Sequence, residues 1–132
     1  MAELNCVVVT PEETFLETKT DFVALPLFDG EIGILPGHSP MIGRLGFGEM
    51  RLGTGSQTNR FYLDGGFVQV SDNLVSVLTQ RALSADKIDA EAAKEQLQSA
   101  RSRSANSAEE LEIRDRLIAQ ARSQLRMSRR DA

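Results

Sequence analysis

The chain has 132 residues, of which 41% are hydrophobic and only 5% aromatic, and its formal net charge is −4. This length predicts one domain, or one small domain with an appendage, built on a modest core of aliphatic side chains. The overall acidity argues against a nucleic-acid binder, and no apolar run approaches the roughly 18 residues that suggest a membrane span.

The N-terminal segment has no basic leader before its apolar run, so we expect neither a secretory signal nor a transit peptide. The expected setting is the cytosol or an organelle that makes the protein itself. The single cysteine, Cys6, lies within that apolar run. It therefore predicts a small buried side chain and leaves no partner for an internal disulfide.

Glycine and proline divide the chain into two parts. All ten glycines lie between Gly30 and Gly66, all four prolines lie at or before Pro40, and residues 67–132 contain neither. The frequent glycines and prolines of the first part are typical of the turns of a β domain, and their absence from the last third is typical of uninterrupted helix. We predict an α+β protein, with an antiparallel β-sandwich or barrel at residues 1–84 and an antiparallel two-helix hairpin at residues 85–132.

Apolar and β-branched runs predict about eight to ten short strands, of which the clearest lie near residues 4–9, 19–27, 46–52, 60–63, 67–70 and 74–78. Pro26 should mark an edge strand or the end of a strand, because proline cannot donate to a ladder. Asp64-Gly65 is a favoured two-residue hairpin turn. Ser71-Asp72-Asn73 should form the next turn.

The stretch DGEIGILPGHSP, residues 29–40, predicts a strand, a tight corner and a second strand. Pro36-Gly37 fits a type II turn, since proline fixes φ at the second position and glycine supplies a positive φ at the third. His38, the only histidine, follows directly. Two interpretations are open for it: a turn residue held by hydrogen bonds, or a contact with a partner protein.

Two helices are predicted after residue 84. Ser84 could cap the first, with Asp86 in its first turn, and Ser107 with Glu110 forms a capping box for the second. The apolar stripe of the first helix is narrow and mostly alanine: Ile88, Ala92, Ala93, Leu97 and Ala100. Because such a stripe buries little area, we expect the hairpin to be marginally stable and detachable, with less hydrogen-exchange protection than the β domain.

The sequence lacks the sets of side chains that common enzyme active sites require. One histidine and one cysteine cannot build a structural zinc site or a histidine-based metal centre. No glycine-rich phosphate loop precedes a helix. His38 and Ser39 would point to opposite faces of a strand, which makes them a poor base and nucleophile. We therefore predict no catalytic site and no metal.

Arg122, Arg126, Arg129 and Arg130 recur at helical spacing and predict one basic stripe. Such a stripe can be a solvated face. Here only Asp131 lies nearby to pair with it, which favours recognition of a carboxylate-rich surface, where arginine offers bidentate geometry.

The segments GEIGILPGHSPMIGRL, GEMRL and FYLDGGFVQVSDNLVSVLTQRA resemble the epsilon subunit of F-type ATP synthases, which is called delta in mitochondria. The resemblance covers essentially the whole chain, including the order of sandwich and hairpin. It implies a non-catalytic rotor subunit at the foot of the central stalk, against the gamma subunit and the membrane ring of c subunits. It places the protein at the cytoplasmic face of the inner membrane, or at the thylakoid membrane in plastids, without insertion into the lipid.

The same resemblance implies roles for particular residues. Glu31 and His38 match the contact region for gamma and the c-ring. In bacterial and chloroplast members the hairpin can extend along gamma and hold the enzyme against ATP hydrolysis, with basic residues of its second helix facing the catalytic alpha and beta subunits. The residues that match this pattern are Arg122 and Arg126 by type and position, and more loosely Arg114 and Arg116.

Some members of this family bind ATP at the start of the first tail helix, through Ile/Leu-Asp-x-x-Arg-Ala. The corresponding run here is IDAEAA, in which Ile88, Asp89 and Ala93 are kept but Ala92 replaces the arginine. Losing that cation removes a natural partner for phosphate. We therefore predict no cofactor, with weak or absent ATP binding.

Two alternatives from other classes are also compatible with the sequence. One is a free-standing β-sandwich adaptor or sugar-binding module with a helical dimerisation tail, which a stable homodimer through the tail would favour. The other is a small jelly-roll enzyme, although such sites usually need two or more histidines and only His38 is available.

Overall fold

The computed structural model describes residues 3–54 and 57–130, and the side chains of Thr54 and Arg130 lie outside that description. The chain forms two compact units, Met1–Ser84 and Ala85–Ala132. The first unit holds the described strands, and the second holds the described helices. None of those helices is both long enough and apolar enough to cross a membrane.

The first unit is a sheet with the strands β1 (Leu4–Val9), β2 (Thr14–Thr20), β3 (Phe22–Leu27), β4 (Gly30–Ile34), β5 (Met41–Thr54), β6 (Gln57–Ser71), β7 (Leu74–Leu78) and β8 (Ala82–Ser84). Their spatial order is β2-β1-β7-β6-β5-β3-β4, and β8 also pairs with β6. The predicted antiparallel pairing is confirmed for the described strand pairs except β1 and β7, which run parallel.

The sheet folds over one aliphatic core. Cys6 of β1 and Ile34 of β4 belong to the same buried cluster, although four strands lie between theirs in the sheet order. In a flat sheet these two strands would be about 24 Å apart, so the sheet must close into a sandwich. Burial raises the pKa of the Cys6 thiol to about 12, which makes it an inert apolar side chain, as predicted.

The predicted hairpin turn at Asp64-Gly65 is wrong, because both residues lie inside the long strand β6. Gly65 and Gly66 have φ values of +73° and +110°, and the regular pairing with β5 is interrupted at Gly65. Positive φ values bend a strand where only glycine is tolerated. The part of β6 before the bend pairs with β8, and the part after it pairs with β7.

The single strand predicted near residues 19–27 is two strands, β2 and β3, which are separated at Asp21. Strand β2 was missed because its sequence, TFLETKT, is polar and lies at the edge of the sheet. Of the two positions predicted for Pro26, the edge strand is wrong and the strand end holds. Strand β3 is interior, and Pro26 lies one residue before its end, where the pairing with β5 is irregular.

The second unit begins with a single 3-10 turn, Ala85–Lys87, and continues with α1 (Ala90–Ser102). The predicted N-cap at Ser84 is wrong, because that turn separates Ser84 from the helix. Asp89 caps α1 instead, and its Oδ1 accepts a hydrogen bond from the Ala92 N–H at 3.1 Å. The acidic side chain also suits the positive end of the helix dipole.

The second helix, α2 (Ala108–Arg130), starts after the predicted capping residue. Ser107 Oγ accepts a hydrogen bond from the Glu110 N–H at 3.1 Å, which confirms that half of the capping box. The Glu110 carboxylate accepts from the Asn106 N–H at 2.9 Å, one residue earlier than in the standard box.

The two helices are joined by a five-residue link and pack against each other. The Gln96 side chain of α1 crosses to α2, where its Nε2 donates to the Leu117 carbonyl at 2.8 Å. Ala93 and Ala100 are buried as predicted, whereas Ala92 is exposed. The detachability of the hairpin stays a prediction.

Candidate functional site

The corner predicted at Pro36-Gly37 is a type II turn. The His38 N–H donates to the Leu35 carbonyl at 3.1 Å, and Gly37 has φ +85°, the value that this turn requires at its third position. Leu35 is 63% exposed at the first position. The corner therefore presents an apolar side chain beside the only imidazole of the chain.

The His38 ring is half-buried and is held locally. Its Nδ1 lies 2.7 Å from the carbonyl oxygen of Ser39, which can only accept, so Nδ1 carries the proton. This bears out the interpretation of His38 as a turn residue held by hydrogen bonds. Nε2 has no hydrogen-bond partner among the described residues, and a contact of His38 with another protein stays a prediction.

Glu31, the other residue assigned to this contact region, lies at the start of β4. Arg51 binds its carboxylate with both guanidinium nitrogens, at 2.6 and 3.0 Å. Arg51 also donates to Glu49 at 3.2 Å, and Arg60 donates to Glu49 at 2.8 Å. The hydrogen bond with Glu31 is the largest cause of the raised pKa of Arg51. Glu31 thus belongs to a charge network across β4, β5 and β6.

An exposed apolar row crosses the sheet, which sequence reasoning missed. Val9 of β1 pairs with Leu78 of β7, and Leu78 pairs in turn with Phe67 of β6. These three side chains are 36, 56 and 58% exposed. Phe67 pairs with Arg44 of β5, whose guanidinium lies 4.6 Å from the ring centroid of the exposed Phe28. We call Val9, Leu78, Phe67 and Phe28 the apolar row.

A sequence signal for this row does exist. In a half-buried strand apolar and polar residues alternate, because only one face is covered. Strand β7 reads LVSVL, with Leu74 and Leu78 exposed and the two valines between them buried. Apolar residues at both even and odd positions indicate a strand with two apolar faces. In β7 one of these faces is buried, and the other is exposed. Contiguous exposed apolar surface of this kind marks protein interaction sites.

The remnant of the ATP motif lies at the start of α1. Asp89 uses its carboxylate to cap the helix, and Ala92, at the position of the missing arginine, is exposed in the first turn. Ile88 is half-buried and Ala93 is buried. The described first turn of α1 therefore presents to solvent a carboxylate and a methyl group, and no cation at residue 92.

The basic stripe of α2 is exposed over its described part. Arg122, Arg126 and Arg129 follow at intervals of four and three residues, and all are exposed, as is Arg116. Among residues 3–54 and 57–130, none of these four has an ion pair. The half-buried Arg114 has a buried Nε without a hydrogen-bond partner. The side chain of Arg130 and residue Asp131 lie outside the described residues.

Two open clefts lie on the first unit. One, of about 120 Å³, is lined by residues of β2, β5 and β6, and the other, of about 260 Å³, by residues around Thr10 and Gln80. Across the described parts of the chain, no three His, Cys, Asp or Glu side chains are grouped so that they could hold a metal ion.

The sequence matches a family model described as the ATP synthase delta/epsilon chain, beta-sandwich domain, over residues 3–85. An ATP synthase epsilon chain of Rhodopirellula baltica is 49% identical over 126 residues, covering 96% of this chain and 98% of its own length. Another from Carboxydothermus hydrogenoformans is 43% identical over 96 residues, covering 73% of this chain and 72% of its own.

A solved structure of the Tetrahymena thermophila mitochondrial ATP synthase central stalk and c-ring contains a chain similar in fold. Its TM-score is 0.76 at 12% identity, over 96% of this chain and 97% of that chain. A chain of the Euglena gracilis mitochondrial ATP synthase gives 0.74 at 22% identity, over 95% of this chain and 76% of that chain. At these identities the likeness concerns the fold.

Proposed function

The chain belongs to the ATP synthase delta/epsilon family, and from that membership we propose that it is a non-catalytic subunit of the central stalk. In this role it joins the gamma subunit to the ring of c subunits and so couples ion flow to ATP synthesis. It is attached peripherally, at the cytoplasmic face of the inner membrane, through its protein partners.

The observation that carries this proposal is the apolar row. Phe67 and Leu78 are exposed although they lie on the interior strands β6 and β7. A subunit that stays bound to a stalk covers such side chains, and covering them supplies about 25 cal/mol for each Å² of apolar surface removed from water. We assign this row to gamma, and the corner at Leu35–His38 to the c-ring.

A double substitution tests the assignment of the row to gamma. Phe67→Asp with Leu78→Asp should weaken capture of purified gamma by the full-length chain at least thirtyfold, a loss of about 2 kcal/mol. Thr58→Asp is the matched control, since it places a charge at an exposed polar position of the same strand. Capture would be measured by biolayer interferometry at fixed ionic strength.

Three results would contradict the proposal. Unchanged affinity in the double variant would remove the row from the interface. If the wild-type chain does not capture gamma, the assignment to the central stalk is wrong. A stable homodimer through the helices, without capture of gamma, would favour the adaptor.

We further propose that ATP binds weakly or not at all. Asp89 is engaged as the cap of α1, and Ala92 offers no cation to a phosphate. Titration calorimetry on the full-length chain should give no dissociation constant below about 1 mM, which corresponds to roughly −4 kcal/mol. Ala92→Arg restores the missing cation and should tighten binding, with the exposed Ser99→Arg on the same helix as a charge-matched control. Submillimolar binding by the unmodified chain would refute this.

A further inference from the structure

The corner at Leu35–His38 is tied to a turn 36 residues further along the chain. The Gly37 N–H donates to the Asn73 side-chain Oδ1 at 2.7 Å. We propose that Asn73 is a positioning residue, which fixes the corner in the shape that its partner recognises. This inference rests on the proposed contact between the corner and the c-ring, and it names a residue that sets the geometry of that contact.

The hydrogen bonding of the corner leaves one amide to be satisfied. A type II turn is closed by the bond from the fourth N–H to the first carbonyl, here from His38 to Leu35. The N–H of the third residue, Gly37, takes no part in that closure. The Asn73 carboxamide oxygen therefore provides this amide with a fixed partner in place of water.

Asn73 is itself firmly held. It occupies the β6–β7 turn, where Asp72 and Asn73 have φ values of +51° and +63° and the flanking Ser71 and Leu74 pair. Positive φ at both central residues defines a type I′ turn, in which asparagine is favoured. The Asn73 carbonyl also accepts a hydrogen bond from the Asn5 N–H at 2.8 Å, so β1 braces the turn.

The link has a consequence for binding more than for folding. The corner is exposed and contains a glycine, and ordering even one residue of a loop on binding has an entropic cost. A corner that is already fixed by Asn73 avoids that cost at the moment of association. A neutral hydrogen bond is worth about 1 kcal/mol, so its loss should weaken binding between five- and tenfold while the core is untouched.

Three variants separate the effect of losing the Asn73 acceptor oxygen from the effect of changing the backbone of the β6–β7 turn. Asn73→Gly keeps the left-handed backbone but removes the acceptor, whereas Asn73→Asp keeps both. Asp72→Gly makes the same backbone change at the neighbouring left-handed position, which has no bond to the corner. Each full-length chain would be bound to gamma, and its affinity for detergent-solubilised c-ring measured together with its capture of gamma and its thermal midpoint.

We expect Asn73→Gly to weaken ring binding between five- and tenfold and to expose the Gly37 amide to faster hydrogen exchange, with capture of gamma unchanged. Asn73→Asp and Asp72→Gly should bind the ring within about twofold of the wild type. Equal ring binding by Asn73→Gly and wild type would overturn the inference alone, as would an equal loss in Asn73→Asp. If the unmodified complex does not bind the ring, the proposed function fails and the inference falls with it.

Discussion

Replacing Gly66 with alanine is expected to lower the free energy of unfolding of the β-sandwich by about 4 kcal/mol. A Cβ atom at this position would lie 1.8 Å from the Leu78 carbonyl oxygen and 2.8 Å from its carbon. Both are backbone atoms of the neighbouring strand, so no flexible side chain can move aside. The φ of +110° adds strain for any residue with a side chain.

Two other glycines separate the effect of the steric clash from the effect of the positive φ. At Gly33 a Cβ meets nothing within 4 Å and the backbone needs no positive φ, so Gly33→Ala should be neutral within about 0.5 kcal/mol. Gly37 has open space but φ +85°, so Gly37→Ala should cost about 1 to 2 kcal/mol from strain alone.

The series would be measured by urea unfolding. Tyr62, the only tyrosine, is fully buried in the sandwich, and the chain has no tryptophan, so intrinsic fluorescence reports on this unit. A loss at Gly66 no larger than the loss at Gly37 would show that the β6–β7 approach yields easily. That result would disprove the prediction that glycine is required at residue 66 because β6 and β7 are in backbone contact there.

The same residues show how far sequence reasoning reaches. The turns at Pro36-Gly37 and Asp72-Asn73 were predictable, because each turn type demands particular residues at particular positions. Asp64-Gly65 carries the same chemical signal and yet lies in a continuous strand. A dipeptide such as Asp-Gly indicates only that a positive φ is tolerated at that point. Whether the chain reverses or only bends there depends on the long-range pairing of β6 with β5, β7 and β8.

The candidate sites were predictable to different degrees. The α2 arginine stripe is a local periodic pattern, and its exposure at Arg122 and Arg126 follows from helical spacing. The apolar row is only partly predictable in this way: LVSVL indicates two apolar faces on β7, but Val9, Leu78 and Phe67 meet only after three strands pair. Glu31 was assigned to a contact region by resemblance, and its bidentate bond to Arg51 depends on a strand pairing that local sequence does not encode.

Removing the charges of Arg122 and Arg126 is expected to raise ATP hydrolysis by the parent complex. If the hairpin inhibits by docking its basic stripe on acidic catalytic subunits, each arginine contributes at most about 1 kcal/mol. Arg122→Ala with Arg126→Ala should then shift the docking equilibrium by up to about thirtyfold. Hydrolysis should approach, without exceeding, the rate with a chain cut after Ala85, which lacks the hairpin but keeps the whole core of the sandwich.

The control is the pair Arg101→Ala and Arg103→Ala, which removes the same charge from exposed positions outside α2. Hydrolysis should stay at the wild-type level in this pair. Equal activation by both pairs would mean that net charge, and not the stripe, holds the tail in place. If the chain cut after Ala85 binds gamma and hydrolysis is unchanged, the hairpin is not an inhibitory arm in this protein. The exposed arginines would then be a solvated face, which is the simpler of the two interpretations of their spacing.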